Sequence, residues 1–75
     1  DETEVAMSVY RVIDVIGTSP NSWEDAAESA VKTASSTLRD LRVAEVSKLD
    51  VTIADDGSIE SYRARLQLSF KYENA

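Results

Sequence analysis

The chain has 75 residues, with 14 acidic and 8 basic side chains, a net charge of −6, and neither cysteine nor histidine. A chain of this length forms one domain and buries only about 60–65% of its unfolded surface, so a lone copy would be marginally stable. The composition excludes disulfides, Cys/His metal sites, a histidine general base and a Ser-His-Asp triad, and the acidic balance argues against a nucleic-acid partner.

Residues 1–6, DETEVA, are acidic and show no apolar pattern. We expect a disordered tail, or a remnant preceding a natural start at Met7, and a single domain over residues 7–75. No run approaches the ~20 apolar residues of a membrane span, and there is no signal-peptide core. We therefore expect no membrane partner and take the cytoplasm as the default location.

The first strand is predicted at residues 9–16, VYRVIDVI, where β-branched residues place apolar side chains on both faces. Val9, Ile13 and Val15 share one face with Arg11, and the other face carries Tyr10, Val12, Asp14 and Ile16. Such a strand needs cover from both sides.

The following segment, GTSPNS, has one glycine and no lysine, so it is not a phosphate-binding loop of a known motif. Two interpretations stay open: a strand-to-helix turn with a cap, or an anion site at the helix start. Ser22 is the predicted N-cap, and Asp25 is placed to complete a capping box.

Helical spacing of apolar residues predicts a helix from Trp23 to Leu41, with inner alanines that imply close approach to a sheet. Glu28 and Lys32 form an i,i+4 pair on the solvent-exposed side of this helix. Trp23 is expected either to pack in the core or between subunits, or to contact a ligand.

Two long strands are predicted at residues 42–54 and 58–72, joined by Asp-Asp-Gly. A two-residue loop at Asp56 and Gly57 would pair Leu49 with Ala64, Val51 with Tyr62, and Asp50 with Arg63. Strict pairing would bury Glu45, so a bulge is predicted near Val46–Ser47 to turn Val43 and Glu45 away from the core. The Asp-Asp-Gly segment is interpreted as a turn rather than a ligand loop, and Asp50 is expected to pair with Arg63 or Lys48.

The predicted fold is α+β, in the order β-α-β-β, with one helix on a three-stranded antiparallel sheet. Strands about 40–50 Å long would extend beyond a helix about 28 Å long, which would leave part of the sheet without cover. Exposed edges of that length invite pairing, so a closed symmetric homo-oligomer is expected.

Residues 9–41, VYRVIDVIGTSPNSWEDAAESAVKTASSTLRDL, followed by a strand, an Asp-Gly hairpin and YRARLQLSFKYE, closely resemble the dodecin family. The resemblance implies a strongly curved sheet around the helix and a hollow twelve-subunit shell of cubic symmetry. It also implies flavin binding and storage, without enzymatic activity, at a site shared across a twofold axis.

In the family pattern a tryptophan early in the second strand stacks on the flavin, and a glutamine in the third strand bonds its edge. Here Val43 stands at the tryptophan position and Arg63 at the glutamine position, whereas Glu45 matches the family. Both changes weaken the usual flavin stacking. The predicted ligand-binding residues are Val43, Glu45, Arg63, Arg65 and Gln67, and Arg63 and Arg65 suit an anionic ligand unless they only form salt bridges.

The Arg-Val-Ala strand start and the Tyr-Arg pair also resemble a branch of calcium-binding dodecins. That resemblance makes calcium or magnesium a candidate ligand, to be held by carboxylates among Asp14, Glu45, Asp50, Asp55, Asp56 and Glu60. The main hypothesis is a non-enzymatic homododecamer that binds or stores a small ligand or divalent cation. The alternatives are a flavin-binding protein with a non-standard pocket and a structural module without a small ligand. An enzyme is disfavoured because no nucleophile-base pair or cofactor loop is visible.

Overall fold

The structure, a computed structural model, describes residues 8–72. Its elements are β1 (Tyr10–Ser19), α1 (Trp23–Thr37), β2 (Leu41–Ile53) and β3 (Ile59–Lys71). The strands form one antiparallel sheet in the order β1-β3-β2, with the helix on one face. The predicted α+β class and β-α-β-β order are confirmed, while the predicted tail at residues 1–6 lies outside the described residues. Within residues 8–72 no helix has the length and hydropathy needed to span a bilayer.

β1 is longer than predicted, because Gly17, Thr18 and Ser19 continue the strand instead of forming the turn. Gly17 pairs with Ala64 of β3 at the point where the helix crosses the sheet. A Cβ atom on Gly17 would lie 2.1 Å from the carbonyl oxygen of Ala26 and 2.9 Å from Cβ of Ala30. The glycine is therefore required for close packing, not for chain reversal. The predicted close approach of an alanine face to the sheet is confirmed.

The start of the helix is fixed by two short polar side chains. Oγ of Ser22 accepts a hydrogen bond from the N–H of Asp25 at 3.0 Å, so the predicted N-cap is confirmed. The reciprocal capping-box bond is not seen, because the Asp25 carboxylate accepts instead from Oγ of buried Ser19 at 2.7 Å and from Nδ2 of Asn21 at 3.4 Å. A carboxylate of the chain itself thus occupies the helix start, which favours the strand-to-helix turn over an anion site.

The helix ends at Thr37, whereas the apolar spacing had predicted its end at Leu41. Leu38 already has extended backbone angles, although its N–H still bonds to the carbonyl oxygen of Ala34 at 2.9 Å. Asp40, with a φ of 58°, turns the chain into β2. Leu38 and Leu41 both pack against the core from outside the helix, so apolar periodicity continued after helical geometry had stopped.

The hairpin between β2 and β3 has a three-residue loop, Asp55-Asp56-Gly57, rather than the predicted two-residue loop. The N–H of Gly57 bonds to the carbonyl oxygen of Ala54 at 2.9 Å, and Gly57 has a φ of 89°. Asp56 accepts hydrogen bonds from the N–H and Oγ of Ser58, which confirms the turn interpretation. The predicted pairs Leu49–Ala64, Asp50–Arg63 and Val51–Tyr62 are nevertheless confirmed, because a second irregularity between Thr52 and Ile53 restores the register.

The predicted bulge lies between Val46 and Lys48, with Ser47 as the extra residue. Oγ of Ser47 donates to the carbonyl oxygen of Arg65 at 3.1 Å. Beyond the bulge Val43 pairs with Ser69 and Glu45 with Gln67, so both point away from the helix as predicted. A further register shift lies between Leu41 and Val43.

The core lies between the helix and the β1–β3 half of the sheet. Its buried apolar residues are Ala26, Ala30, Ala34, Ala64, Leu66, Leu68 and Phe70. The helix-facing side of β2 is left open, with Val46 48% and Leu49 53% exposed. A 15-residue helix covers about 22 Å of a molecule that is 56 Å long. The prediction that the sheet extends beyond the helix that covers it is confirmed.

Replacing Gly17 with alanine should destabilise the protein by about 1–3 kcal/mol or more, because the new methyl group collides with helix backbone. Thermal or denaturant unfolding measures the effect. Gly57→Asn is the matched control, since space is open at Gly57 and asparagine tolerates its left-handed φ. Equal stability of Gly17→Ala and the wild type would show that the helix does not need this close approach.

Candidate functional site

The candidate site is the sheet surface opposite the helix, which we call the outer face. Cross-strand pairing arranges it in four rows running from β1 through β3 to β2. The rows are Val12–Ser69–Val43, Asp14–Gln67–Glu45, Ile16–Arg65–Lys48 and Thr18–Arg63–Asp50.

All five predicted ligand-binding residues lie on the outer face, but they do not form one compact group. Glu45 and Gln67 are direct cross-strand partners, with Val43 and Arg65 in the rows on either side. Arg63 lies six residues from the Ser69 row along β3, which corresponds to about 20 Å at 3.3 Å per residue. A small ligand in contact with both side chains would therefore have to bind Val43 of one copy of the chain and Arg63 of another.

Arg63 is engaged by a carboxylate of the neighbouring strand. Its Nε lies 2.7 Å from Oδ1 of Asp50 and a terminal guanidinium nitrogen lies 2.9 Å from Oδ2, a two-bond ion pair. The hydrogen bond from Arg63 is the main cause that lowers the pKa of Asp50 below its ordinary 3.8, with a smaller contribution from the charge of Lys48. The predicted Asp50–Arg63 pairing is confirmed. Arg63 thus links β3 to β2, and two of its five N–H donors are directed to Asp50 rather than to an open site.

Arg65 and Glu45 are less constrained than Arg63. The guanidinium of Arg65 lies 3.7 Å from Oδ2 of Asp14, an ion contact longer than a hydrogen bond. Glu45 forms no salt bridge or side-chain hydrogen bond with any residue between 8 and 72. Its exposed carboxylate, next to the amide of Gln67, is available to a ligand.

The carboxylates considered for a cation are dispersed over the chain. Asp55 and Asp56 lie at the hairpin tip with Glu60 close behind, and Asp50 is held by Arg63. Asp14 and Glu45 flank Gln67 on opposite sides of one row. Among the described residues no three acidic side chains come together as a metal site. Calcium takes six to eight oxygens, so one chain supplies only part of a coordination shell.

Trp23 lies on the helix side, away from the outer face. Its Nε1 donates to the carbonyl oxygen of Asp50 at 3.0 Å, and its ring meets Tyr62 edge-on at 5.2 Å between centroids. With Glu24, Ala27, Val46 and Leu49 it lines an open apolar groove of about 310 Å³, which we call the β2 groove. These contacts favour packing over ligand binding for Trp23. Sequence reasoning missed the groove, because strand alternation gives the face of a side chain but not the lateral position of the helix.

The Asp50–Arg63 pair predicts a pH dependence of stability. A carboxyl whose pKa is lowered by folding stabilises the folded state above its ordinary pKa, and this contribution is lost as the pH falls through the lowered value. Arg63→Gln should therefore lower the melting temperature at pH 7, with the difference from the wild type shrinking below about pH 4. Thermal unfolding between pH 7 and 3 tests this, with Lys32→Gln as the control. A difference that does not change with pH would contradict the pairing.

Comparisons with known proteins agree with this architecture. The sequence model of the Dodecin family matches residues 9–73. The chain is 51% identical over 69 residues to calcium dodecin of Mycobacterium tuberculosis, covering 92% of this chain and 96% of the relative. It is 34% identical over 65 residues to dodecin of Thermus thermophilus, covering 87% and 93%.

Solved structures give the same result. Dodecin from Streptomyces coelicolor superposes with a TM-score of 0.84 at 37% identity, covering 93% of this chain and 99% of that one. The crystal structure of M. tuberculosis calcium dodecin, described as a calcium-chelating antigen with a novel calcium-binding site, matches with a TM-score of 0.77 at 48% identity, covering 91% and 96%. The β-α-β-β fold, the match along nearly the whole chain and these identities show that the chain belongs to the dodecin family.

Proposed function

We propose that this protein is a non-enzymatic binding and storage protein that assembles into a hollow homododecamer. Each chain would hold calcium on the outer face of its sheet, the surface opposite the helix. The observation that carries the proposal is the 51% identity to calcium dodecin over 92% of the chain. The absence of histidine and cysteine from the sequence supports a binding role rather than a catalytic one.

The middle of the outer face supplies the ligands for a hard cation. The row Asp14–Gln67–Glu45 offers two carboxylates and an amide oxygen, the ligand types that calcium prefers. Of the two carboxylates in this row, Glu45 is the one without an ion pair in residues 8–72, so it is the residue to which we assign the first contact. The remaining oxygens would come from a second copy and from water.

Flavin is the second candidate ligand, favoured by exposed apolar side chains on the outer face. Tyr10, Val12, Ile16 and Val43 are each 45–55% exposed. Val43 offers no aromatic ring at the position where the family resemblance implies stacking, which removes about 1–3 kcal/mol per face in analogous base-stacking systems. Because Arg63 is held by Asp50, neither family contact to a flavin is available in its usual form.

The β2 groove is the surface to which we assign subunit contact. Trp23, Val46 and Leu49 remain 36–53% exposed in one chain, and β2 is an edge strand with one unpaired side. Burying such side chains stabilises by about 25 cal/mol per Å² of apolar surface. A second copy seated on this groove would cover the side of β2 that the helix leaves open.

Calcium binding should depend on Glu45. Titration calorimetry of the wild-type protein with Ca²⁺, after removal of bound metal, should show saturable binding that Glu45→Gln weakens by about tenfold or more. Glu28→Gln is the matched control, because Glu28 is an exposed helix carboxylate paired with Lys32. Retained affinity in Glu45→Gln would contradict the assigned residue.

The same preparation should be titrated with riboflavin or FMN by fluorescence quenching. Absence of calcium binding to the wild type, combined with tight flavin binding, would replace the calcium proposal with the flavin alternative. If the wild-type protein bound neither calcium nor flavin, both proposed storage roles would be contradicted.

Assembly should depend on the β2 groove. Leu49→Lys places a charge in the apolar groove and should shift the protein to smaller species in size-exclusion chromatography with light scattering. Ser36→Lys adds the same charge at an exposed helix position and should leave the mass unchanged. An unchanged mass in Leu49→Lys would show that the groove is not a subunit contact.

A further inference from the structure

Two cations face each other across strands on the outer face. Lys48 of β2 and Arg65 of β3 are direct partners in the sheet register. Cross-strand partners have Cβ atoms about 4.5–5.5 Å apart, and like charges in this arrangement are destabilising. The hydrogen bond from Oγ of Ser47 to the carbonyl oxygen of Arg65 holds the register beside the bulge, so the two strands do not slip to separate the charges.

The surrounding carboxylates neutralise this pair only in part, since Arg65 has an ion contact with Asp14 and Lys48 has no salt bridge in residues 8–72. Asp50 is the next outer-face residue along β2, but both of its oxygens are bonded to Arg63. Asp14 faces Arg65 from β1 at 3.7 Å, without a hydrogen bond. Lys48 forms no salt bridge with Glu45 or with any other residue between 8 and 72, although its charge contributes to the lowered pKa of Asp50.

We propose that Lys48 and Arg65 form a binding site for a phosphate monoester or for inorganic phosphate. Such a ligand carries a charge of about −1.5 to −2 at pH 7 and three acceptor oxygens, which match one ammonium and one planar guanidinium. Binding removes the repulsion between the two cations. One chain supplies both side chains, and the site does not require calcium.

The third member of the row points to the ester rather than the free ion. Ile16 of β1 pairs with Arg65 on its other side and is 53% exposed. An apolar group attached to the phosphate would lie against this side chain, whereas inorganic phosphate leaves it in water. We therefore expect an aryl phosphate such as phenyl phosphate to bind more tightly than inorganic phosphate.

The test uses the full-length protein in EDTA at constant ionic strength, titrated with phenyl phosphate or inorganic phosphate and followed by calorimetry. Lys48→Gln and Arg65→Gln should each weaken binding by about tenfold or more, since each removes charge-assisted hydrogen bonds. Lys32→Gln, which removes a helix lysine paired with Glu28, should bind like the wild type. Because EDTA removes calcium, the result is independent of the calcium titration.

Stability gives a second readout. Without phosphate, Lys48→Gln should melt at a higher temperature than the wild type, because the like-charge pair is gone. Added phosphate should raise the melting temperature of the wild type and not that of Lys48→Gln. Phosphate binding that is absent in the wild type, or equal in the wild type, Lys48→Gln and Arg65→Gln, would overturn the proposal.

Discussion

The close approach of the helix to β1 at Gly17 is the constraint on which the rest of the structure depends. With no side chain at Gly17 and alanines at Ala26 and Ala30, helix backbone lies directly on the strand. Such contact is possible only where both surfaces are small, so the helix is held over the β1–β3 half of the sheet. The helix therefore leaves the helix-facing side of β2 exposed at Val46 and Leu49 within residues 8–72. The need for association, which we assign to the β2 groove, follows from this lateral placement as much as from the length of the strands.

The opposite surface of the sheet is organised by its ion pairs. At one end the Asp50–Arg63 pair engages both carboxylate oxygens of Asp50 and links β2 to β3. In the next row two like-charged residues, Lys48 and Arg65, are cross-strand partners. Beyond them Glu45 lies beside Gln67 and has no ion pair with any residue between 8 and 72. Within the described part of this acidic protein, a carboxylate without an ion pair and a partly neutralised cation pair therefore lie in neighbouring rows. This arrangement favours charged ligands, whereas Val43 has no aromatic ring at the position where the family resemblance implies stacking on a flavin.

Much of this arrangement could be predicted from the sequence, and the failures share one physical cause. The bulge was predictable because a regular hairpin would have buried Glu45, and the Asp50–Arg63 pair was predictable from the register. Three predictions were wrong: the length of β1, the last residue of the helix α1, and the number of residues in the hairpin loop. In each case tertiary contacts overrode a local signal. Gly17 allows close packing of the helix instead of forming a turn, and Leu38 and Leu41 pack against the core from outside the helix. A second irregularity in β2 compensates for the longer hairpin loop. The predicted ligand-binding residues lie on the face of the sheet that strand alternation indicated. Sequence could not tell that Arg63 is bonded to Asp50 while Glu45 has no ion pair in residues 8–72, since that depends on side-chain geometry.

Sedimentation velocity of the wild-type protein over a dilution series tests the central claim most directly. If the exposed side of β2 requires a second copy, the protein sediments as one closed oligomer that persists on dilution. The proposed dodecamer would have a mass twelve times that of the 8.2 kDa chain. A folded single chain at low concentration, with the far-UV circular dichroism of the assembled protein, would show that one helix is sufficient cover and would contradict the account.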